Sequence, residues 1–327
     1  MPDQLDLFPG APAPPPVGPA SVGADVAELA GRLPSSLRLG TSSWSFPGWR
    51  GIVYDRDATE ALLARAGLAA YARHPLFRAV GLDRTYYAPI PAPAFAAYAA
   101  DVPDGFRFLV KASQECTSPT LPTPGGGSGR NPRFLDPAWA RDEVVAPAVE
   151  GLGAKLGVLL LQLPPLTFGA GRTPEAVLDR LEAFLGGLPA GVPLAVELRS
   201  PAMLVPRYAE LLAAAGAAHA FNVHPSMPSL AAQARAVGLA RQPRLVVRWM
   251  LGHGRAYEEA RELYRPFDRL AAPDPDSREE IAALVRAEDG WRGRDVIVVV
   301  NNKAEGSSPL SVLELARALA GRSARGP

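Results

Sequence analysis

Two short segments carry reactive side chains at a spacing of two. Glu197 and Arg199 stand in VELRS, and Asn222 and His224 stand in AFNVH. Residues two apart on an extended strand project to the same side. In FRFLVKAS (106–113) the same rule puts Arg107, Leu109 and Lys111 on one face and Phe106, Phe108 and Val110 on the other. A carboxylate, an amine and an imidazole on strand ends are the groups of proton-transfer chemistry. Glu197 leads as general acid or base, with Lys111 and His224 as the other catalytic candidates. Lys111, Arg199, Arg248 and Lys303 can receive a phosphate or carboxylate. Trp44, Tyr86 and Tyr87 can stack on a sugar, base or ring, and Gln162, Asn222, Asn301 and Asn302 add neutral polar contacts.

These residues all lie in, or just past, short β-prone runs: 37–44, 78–87, 106–113, 155–164, 193–200, 219–225, 244–251 and 295–302. Helical patterns rich in Ala, Leu and Arg lie between them, at 60–73, 92–100, 136–150, 174–187, 203–215, 229–238, 256–270 with 277–289, and 309–321. Strand and helix in alternation, with continuously apolar strands, predict an α/β fold with a parallel sheet covered by helices. Eight units match a closed (β/α)8 TIM-type barrel, which takes about 250 residues. A doubly wound open sheet is the alternative. It usually carries a Gly-rich turn after an early strand, and here the first run ends in GTSSW. A barrel places its site at the C-terminal ends of the strands. That end also holds Asp83, with His253 and Glu305 in loops. A Schiff-base role is open to Lys111 there. An ion-pair network that only satisfies a polar interior would use the same residue types.

Of 34 basic residues only Lys111, Lys155 and Lys303 are lysine; a lysine kept in an Arg-writing chain either marks a place where guanidinium does not serve or is there by chance. A net charge of +1 argues against a protein that blankets bare nucleic acid. The single cysteine, Cys116, excludes an internal disulfide and a Cys-based zinc site. No cofactor is expected. A metal held by Asp83, Glu197 and His224 is an option with no spacing such as H-E-x-x-H behind it. No apolar run is long enough to span a bilayer and no signal peptide is visible, so no membrane role and a cytoplasmic protein are expected. Residues 117–134, rich in Pro and Gly, form a long insertion after the third strand, either a lid over the mouth or a tolerated loop.

The strand-end motifs GTSSWSFPGWRGIVY (40–54), RTYY (84–87), FRFLVKAS, LLLQLPP (159–165), VELRS (196–200), VVRW (246–249) and DVIVVVNNKAEGSSP (295–309) together resemble the YecE-like family, domain-of-unknown-function family 72. The resemblance covers about 37–320 and implies a TIM-type barrel without supplying a reaction. Gly81 stands where that family leads to an acidic residue, PAM follows VELRS in place of an aromatic, and NNKAEGSSP is a longer asparagine-containing end. These departures imply a subfamily with its own ligand.

Residues 1–36 read as a separate, disordered tail with a Pro/Ala-rich linker, in which 24–33 can form a short helix packing on the barrel. Within it Gln4, Leu5, Asp6, Leu7 and Phe8 are similar to the pentapeptide by which bacterial replication and repair proteins hold the sliding clamp. Large apolar groups on a segment with no core of its own suit a binding element. The leading expectation is therefore an enzyme, a hydrolase or lyase, tethered to the DNA sliding clamp and acting on a phosphorylated or nucleotide-like substrate. A sugar-phosphate or carboxylate enzyme with no nucleic-acid role, and a non-catalytic adaptor, are the alternatives.

Overall fold

The computed structural model describes residues 16–169, 171–252, 254–287 and 294–321. Ten strands occur among them: β1 Leu37–Thr41, β2 Phe77–Leu82, β3 Arg107–Lys111, β4 Thr120–Pro122, β5 Ser128–Arg130, β6 Leu156–Gln162, β7 Leu194–Glu197, β8 Ala218–Val223, β9 Leu245–Trp249 and β10 Val296–Val300. Eight close into a barrel in the order β1-β10-β9-β8-β7-β6-β3-β2. Every pair in it is parallel. The expected (β/α)8 architecture is thus the observed one.

Two apolar layers hold it. The outer faces of the strands pack under the helices. Inside, Ala79, Leu109, Val158, Leu160, Ala195, Ala218, Ala220, Val246, Ile297 and Val299 form a separate plug. Side chains alternate along a strand, so each inner series continues to a fixed residue at the C-terminal end. Leu109 leads to Lys111, Leu160 to Gln162, Ala195 to Glu197, Ala220 to Asn222, Val246 to Arg248 and Val299 to Asn301. The apolar plug ends on a polar layer, as the alternation in FRFLVKAS requires.

The β1–β2 pair needs a glycine. Its register shifts between Leu39 and Gly40. The Tyr71 hydroxyl fills the gap, accepting from Thr41 N at 2.9 Å and lying 3.0 Å from the Ala79 carbonyl. A Cβ on Gly40 would sit 1.9 Å from that carbonyl oxygen.

The tail boundary expected at residue 36 moves. Val17 is buried, Pro19 bridges Tyr54, and Ala20 N donates to Val53 O at 2.9 Å. The helix Ala24–Arg32 buries Val26, Leu29 and Ala30, and Arg32 donates to the Ala320 carbonyl of the helix Ser308–Gly321. The physical reason is an amphipathic stripe that finds a partner on the barrel flank. The clamp-like residues Gln4, Leu5, Asp6, Leu7 and Phe8 lie outside the described residues, as does His253. The 117–134 insertion contains an antiparallel β4–β5 hairpin. It is pinned by Asn131 Nδ2, which donates to the Glu115 and Ser118 carbonyls at 2.7 Å each. Among the described residues no helix is long and apolar enough to cross a membrane.

Gly40→Ala is expected to lower stability by about 1–3 kcal/mol or more, because backbone must move to admit the methyl group. Gly31→Ala, in the exposed part of a helix with nothing near its added Cβ, is expected to raise stability by about 0.5–1 kcal/mol. Urea denaturation of both variants checks the pair. Equal effects would contradict the strand-crossing role of Gly40.

Candidate active site

The polar layer is built around one carboxylate. Glu197, at the end of β7, is fully buried (0% exposed). Its Oε2 accepts from Arg248 Nη1 at 2.6 Å, and its Oε1 lies 2.5 Å from Arg199 Nη2. Arg248 stands on β9 and spans the mouth. Beyond Glu197 it reaches Gln162 Oε1 on β6 at 3.1 Å and, with Nη2, Asp83 Oδ1 after β2 at 3.6 Å. An arginine in this position is only 1% exposed, which is tolerable because its charge is matched. Burial pushes the Glu197 carboxyl up, but Arg199 and Arg248, helped by Lys111, outweigh that and hold it at about 2.

Lys111 ends the inner series of β3 at the same level. Thr85 fixes its surroundings, because the hydroxyl lies 2.7 Å from both the Leu82 and the Lys111 carbonyls. That contact ties the turn after β2 to the end of β3 and slides Tyr86 under the amine. Lys111 Nζ sits 3.7 Å from the Tyr86 ring centroid, a cation–π distance. Burial lowers its pKa to about 8, with Arg248 and Arg199 adding to the shift and Asp83 and Glu197 opposing it.

His224, just past β8, is neutral at physiological pH. Burial, then Arg199, lower it to about 4. The Ser226 backbone N–H lies 3.1 Å from Nδ1. A backbone N–H can only donate, so Nδ1 accepts and the proton sits on Nε2.

These groups surround a cavity of about 250 Å3 at the C-terminal end of the barrel. Asp83, Tyr86, Tyr87, Lys111, Gln162, Arg199, His224, Arg248 and Asn301 line it, with Pro165, Met250, Leu251 and Tyr257. Glu197 lies behind the two arginines and does not line it. Tyr87, 72% exposed, and Tyr257 stand at the rim. Three cations (Lys111, Arg199, Arg248) meet two carboxylates (Asp83, Glu197), so the mouth keeps an excess of positive charge. Arg199 Nε and Arg248 Nε are buried and donate to no protein acceptor. Such a layer can receive an anion on its guanidiniums and bring it against an amine, a neutral imidazole and aromatic faces.

Several expected residues serve elsewhere. Trp44 is buried under the first loop, its indole N–H donating to Leu63 O at 3.0 Å, with its ring edge-on to Tyr98. Asn222 Nδ2 donates to Leu198 O and braces the bend after β7. Asn302 Oδ1 accepts from the Ser308 N–H and hydroxyl at 2.8 Å each, at the start of the last helix. Lys303 covers the Tyr257 ring, 4.2 Å from its centroid, so it supports the rim from outside the lining. Glu197 is ion-paired with two guanidiniums and held ionised, which suits a counter-charge and not a group that trades protons near pH 7. Among the described residues no three His, Cys, Asp or Glu side chains come together to hold a metal. Tyr257, Met250 and Leu251 were not anticipated. They belong to the stretch after β9, where an aromatic opening a helix gives no sign of which cavity it borders.

A family profile described as "protein of unknown function DUF72" matches residues 38–326. The chain belongs to the DUF72 family. Among solved structures, a DUF72 family protein from Thermotoga maritima MSB8 is 19% identical with a TM-score of 0.59, covering 86% of this chain and 98% of that one. A DUF72 family protein from Enterococcus faecalis V583 is 18% identical with a TM-score of 0.57, covering 89% of this chain and 98% of that one. At such identities the likeness shows the DUF72 fold alone. No curated protein matches.

Glu197→Gln keeps the shape and removes the charge between two buried guanidiniums. A loss of about 3–5 kcal/mol is expected, read as a lower denaturation midpoint at pH 7. The carboxyl is held at about 2 against 4.5 ordinarily. Its stabilisation is therefore present above pH 4.5 and is lost as pH falls toward 2. The gap between wild type and variant should close over that interval, and a gap independent of pH would contradict the assignment.

Proposed function

We propose that this DUF72 protein is an enzyme whose barrel mouth binds the phosphate or carboxylate of a small, sugar-sized substrate. The observation that carries this reading is the Arg199–Glu197–Arg248 cluster. One buried carboxylate fixes two guanidiniums in place while the mouth as a whole stays positive. Fixed guanidiniums match the oxygen pairs of phosphate and carboxylate. Tyr86, Tyr87 and Tyr257 offer faces for a ring, and about 250 Å3 lies near the lower edge of the roughly 300–1,000 Å3 usual for ligand pockets. The reacting groups are Lys111, with an amine near pH 8, and His224, which presents an Nε2–H. Hydrolysis or lyase chemistry fits this pair.

The tail bears on where the enzyme works. In this reading Gln4, Leu5, Asp6, Leu7 and Phe8 dock on a bacterial sliding clamp, and the substrate is a sugar-phosphate unit of DNA or a nucleotide. Pro19 bridges Tyr54 in the loop after β1, on the face that carries the cavity. Residues 9–16 then separate the pentapeptide from the first buried residue, Val17. That is a reach of about 25 Å if extended as PPII, shorter than a linker running to residue 36 would allow. A free sugar phosphate is the second reading, favoured by the small cavity and the near-neutral chain.

Sorbitol 6-phosphate is expected to bind by calorimetry, and Arg199→Ala to weaken that binding at least tenfold. No heat with wild type would count against the anion site. For the tail, purified clamp should retain wild type and lose a Leu7→Ala, Phe8→Ala double variant. Equal retention of both would remove the tether and leave the free-substrate reading.

A further inference from the structure

The three lysines of this arginine-rich chain have different surroundings. Lys155 Nζ donates to the Ala99 and Val102 carbonyls at 2.8 Å each. Lys303 lies on the Tyr257 ring. Lys111 faces the cavity, and among the described residues its Nζ has no carboxylate within ion-pair distance and no hydrogen-bond acceptor, only the Tyr86 face. The two arginines beside it both hold carboxylate partners. A cation needed only for charge could have been written Arg, as elsewhere in the chain. A primary amine can do what a guanidinium cannot: lose its proton and bond to carbon.

We infer that Lys111 is a covalent nucleophile, whose amine condenses with the carbonyl carbon of an open-chain aldehyde or ketone anchored by its phosphate or carboxylate on Arg199 and Arg248. This rests on the anion-site reading of the same cavity. The Nζ lone pair attacks the carbonyl carbon, and the C=O π pair moves to oxygen and takes up a proton. That proton comes, directly or through solvent, from the attacking nitrogen, so the carbinolamine keeps one N–H; it then loses that proton and its hydroxyl as one water, leaving a C=N bond. Amine plus carbonyl gives imine plus water, with no oxidant or reductant. The charged groups around the amine are Asp83, Glu197, Arg199 and Arg248, with His224 neutral. With its pKa near 8, about a tenth of the amine is unprotonated at pH 7, against well under a hundredth for an ordinary lysine.

The experiment incubates the full chain with ribose 5-phosphate, and in parallel with pyruvate, in the presence of cyanoborohydride, and maps adducts by peptide mass spectrometry. The expected adduct is the probe less one oxygen, on Lys111, at least tenfold above Lys155 and Lys303 in the same sample. Lys111→Arg should lose it. Sorbitol 6-phosphate, which has no carbonyl, should suppress it. With borohydride trapping across pH, labelling should rise to about pH 8 and then level off. Adducts spread evenly over the three lysines, or none on Lys111 with either probe, would overturn the inference. Binding of sorbitol 6-phosphate without any Lys111 adduct would overturn it while leaving the anion site standing, and absence of both would remove the two together.

Discussion

Two arginines buried at the end of a barrel cannot be held there without a negative charge between them, and Glu197 supplies it. Burial costs each charge its hydration, and the fold recovers that cost only because the three groups meet at 2.5–2.6 Å. Everything at the mouth is arranged around this contact. Arg248 can cross the opening because one end of it is fixed. Arg199 can turn back over β7 because its charge is matched. Lys111, left outside the pairing and buried, keeps its proton less firmly because burial disfavours its charged form.

The contact depends in turn on the barrel beneath it. Six inner series run from small or branched apolar residues to a polar end, and the plug of Ala79, Leu109, Leu160, Ala220, Val246 and Ile297 keeps water away from below. The low polarity of that plug makes unpaired charges costly, so it selects the matched triad. The outer side chains, packed under helices, fix the strand positions that bring β6, β7 and β9 to the same height.

Much of this was legible in the residues. Eight runs alternating with helical patterns specified the closed barrel, the period-two rule set Lys111, Glu197 and Arg199 facing inward, and the strand ends placed Arg248 beside them at the mouth. Tyr86, Tyr87, Lys111, Gln162, Arg199, His224, Arg248 and Asn301 line the cavity as expected, and a few other strand-end residues do not. Trp44, Asn222 and Asn302 occupy the right level but spend their hydrogen bonds on Leu63, Leu198 and Ser308. Spacing reports which face a side chain takes and not whether a nearby backbone group claims it. Glu197 shows the same gap, since its role depends on Arg248, fifty-one residues away, and sequence separation hides that. Tyr257 escaped notice because a helix beginning after a strand leaves the direction of its first side chain open.

The mouth thus combines two guanidiniums paired on one carboxylate with a buried lysine amine of lowered pKa, on the family's common barrel. The most direct test is crystallographic: crystals soaked in tungstate and phased on its anomalous signal. The expected peak lies inside the cavity, within hydrogen-bonding distance of Arg199 or Arg248. Tungstate found only on outer surfaces, with the cavity taking none, would contradict the view that Glu197 holds these arginines in place for an anion.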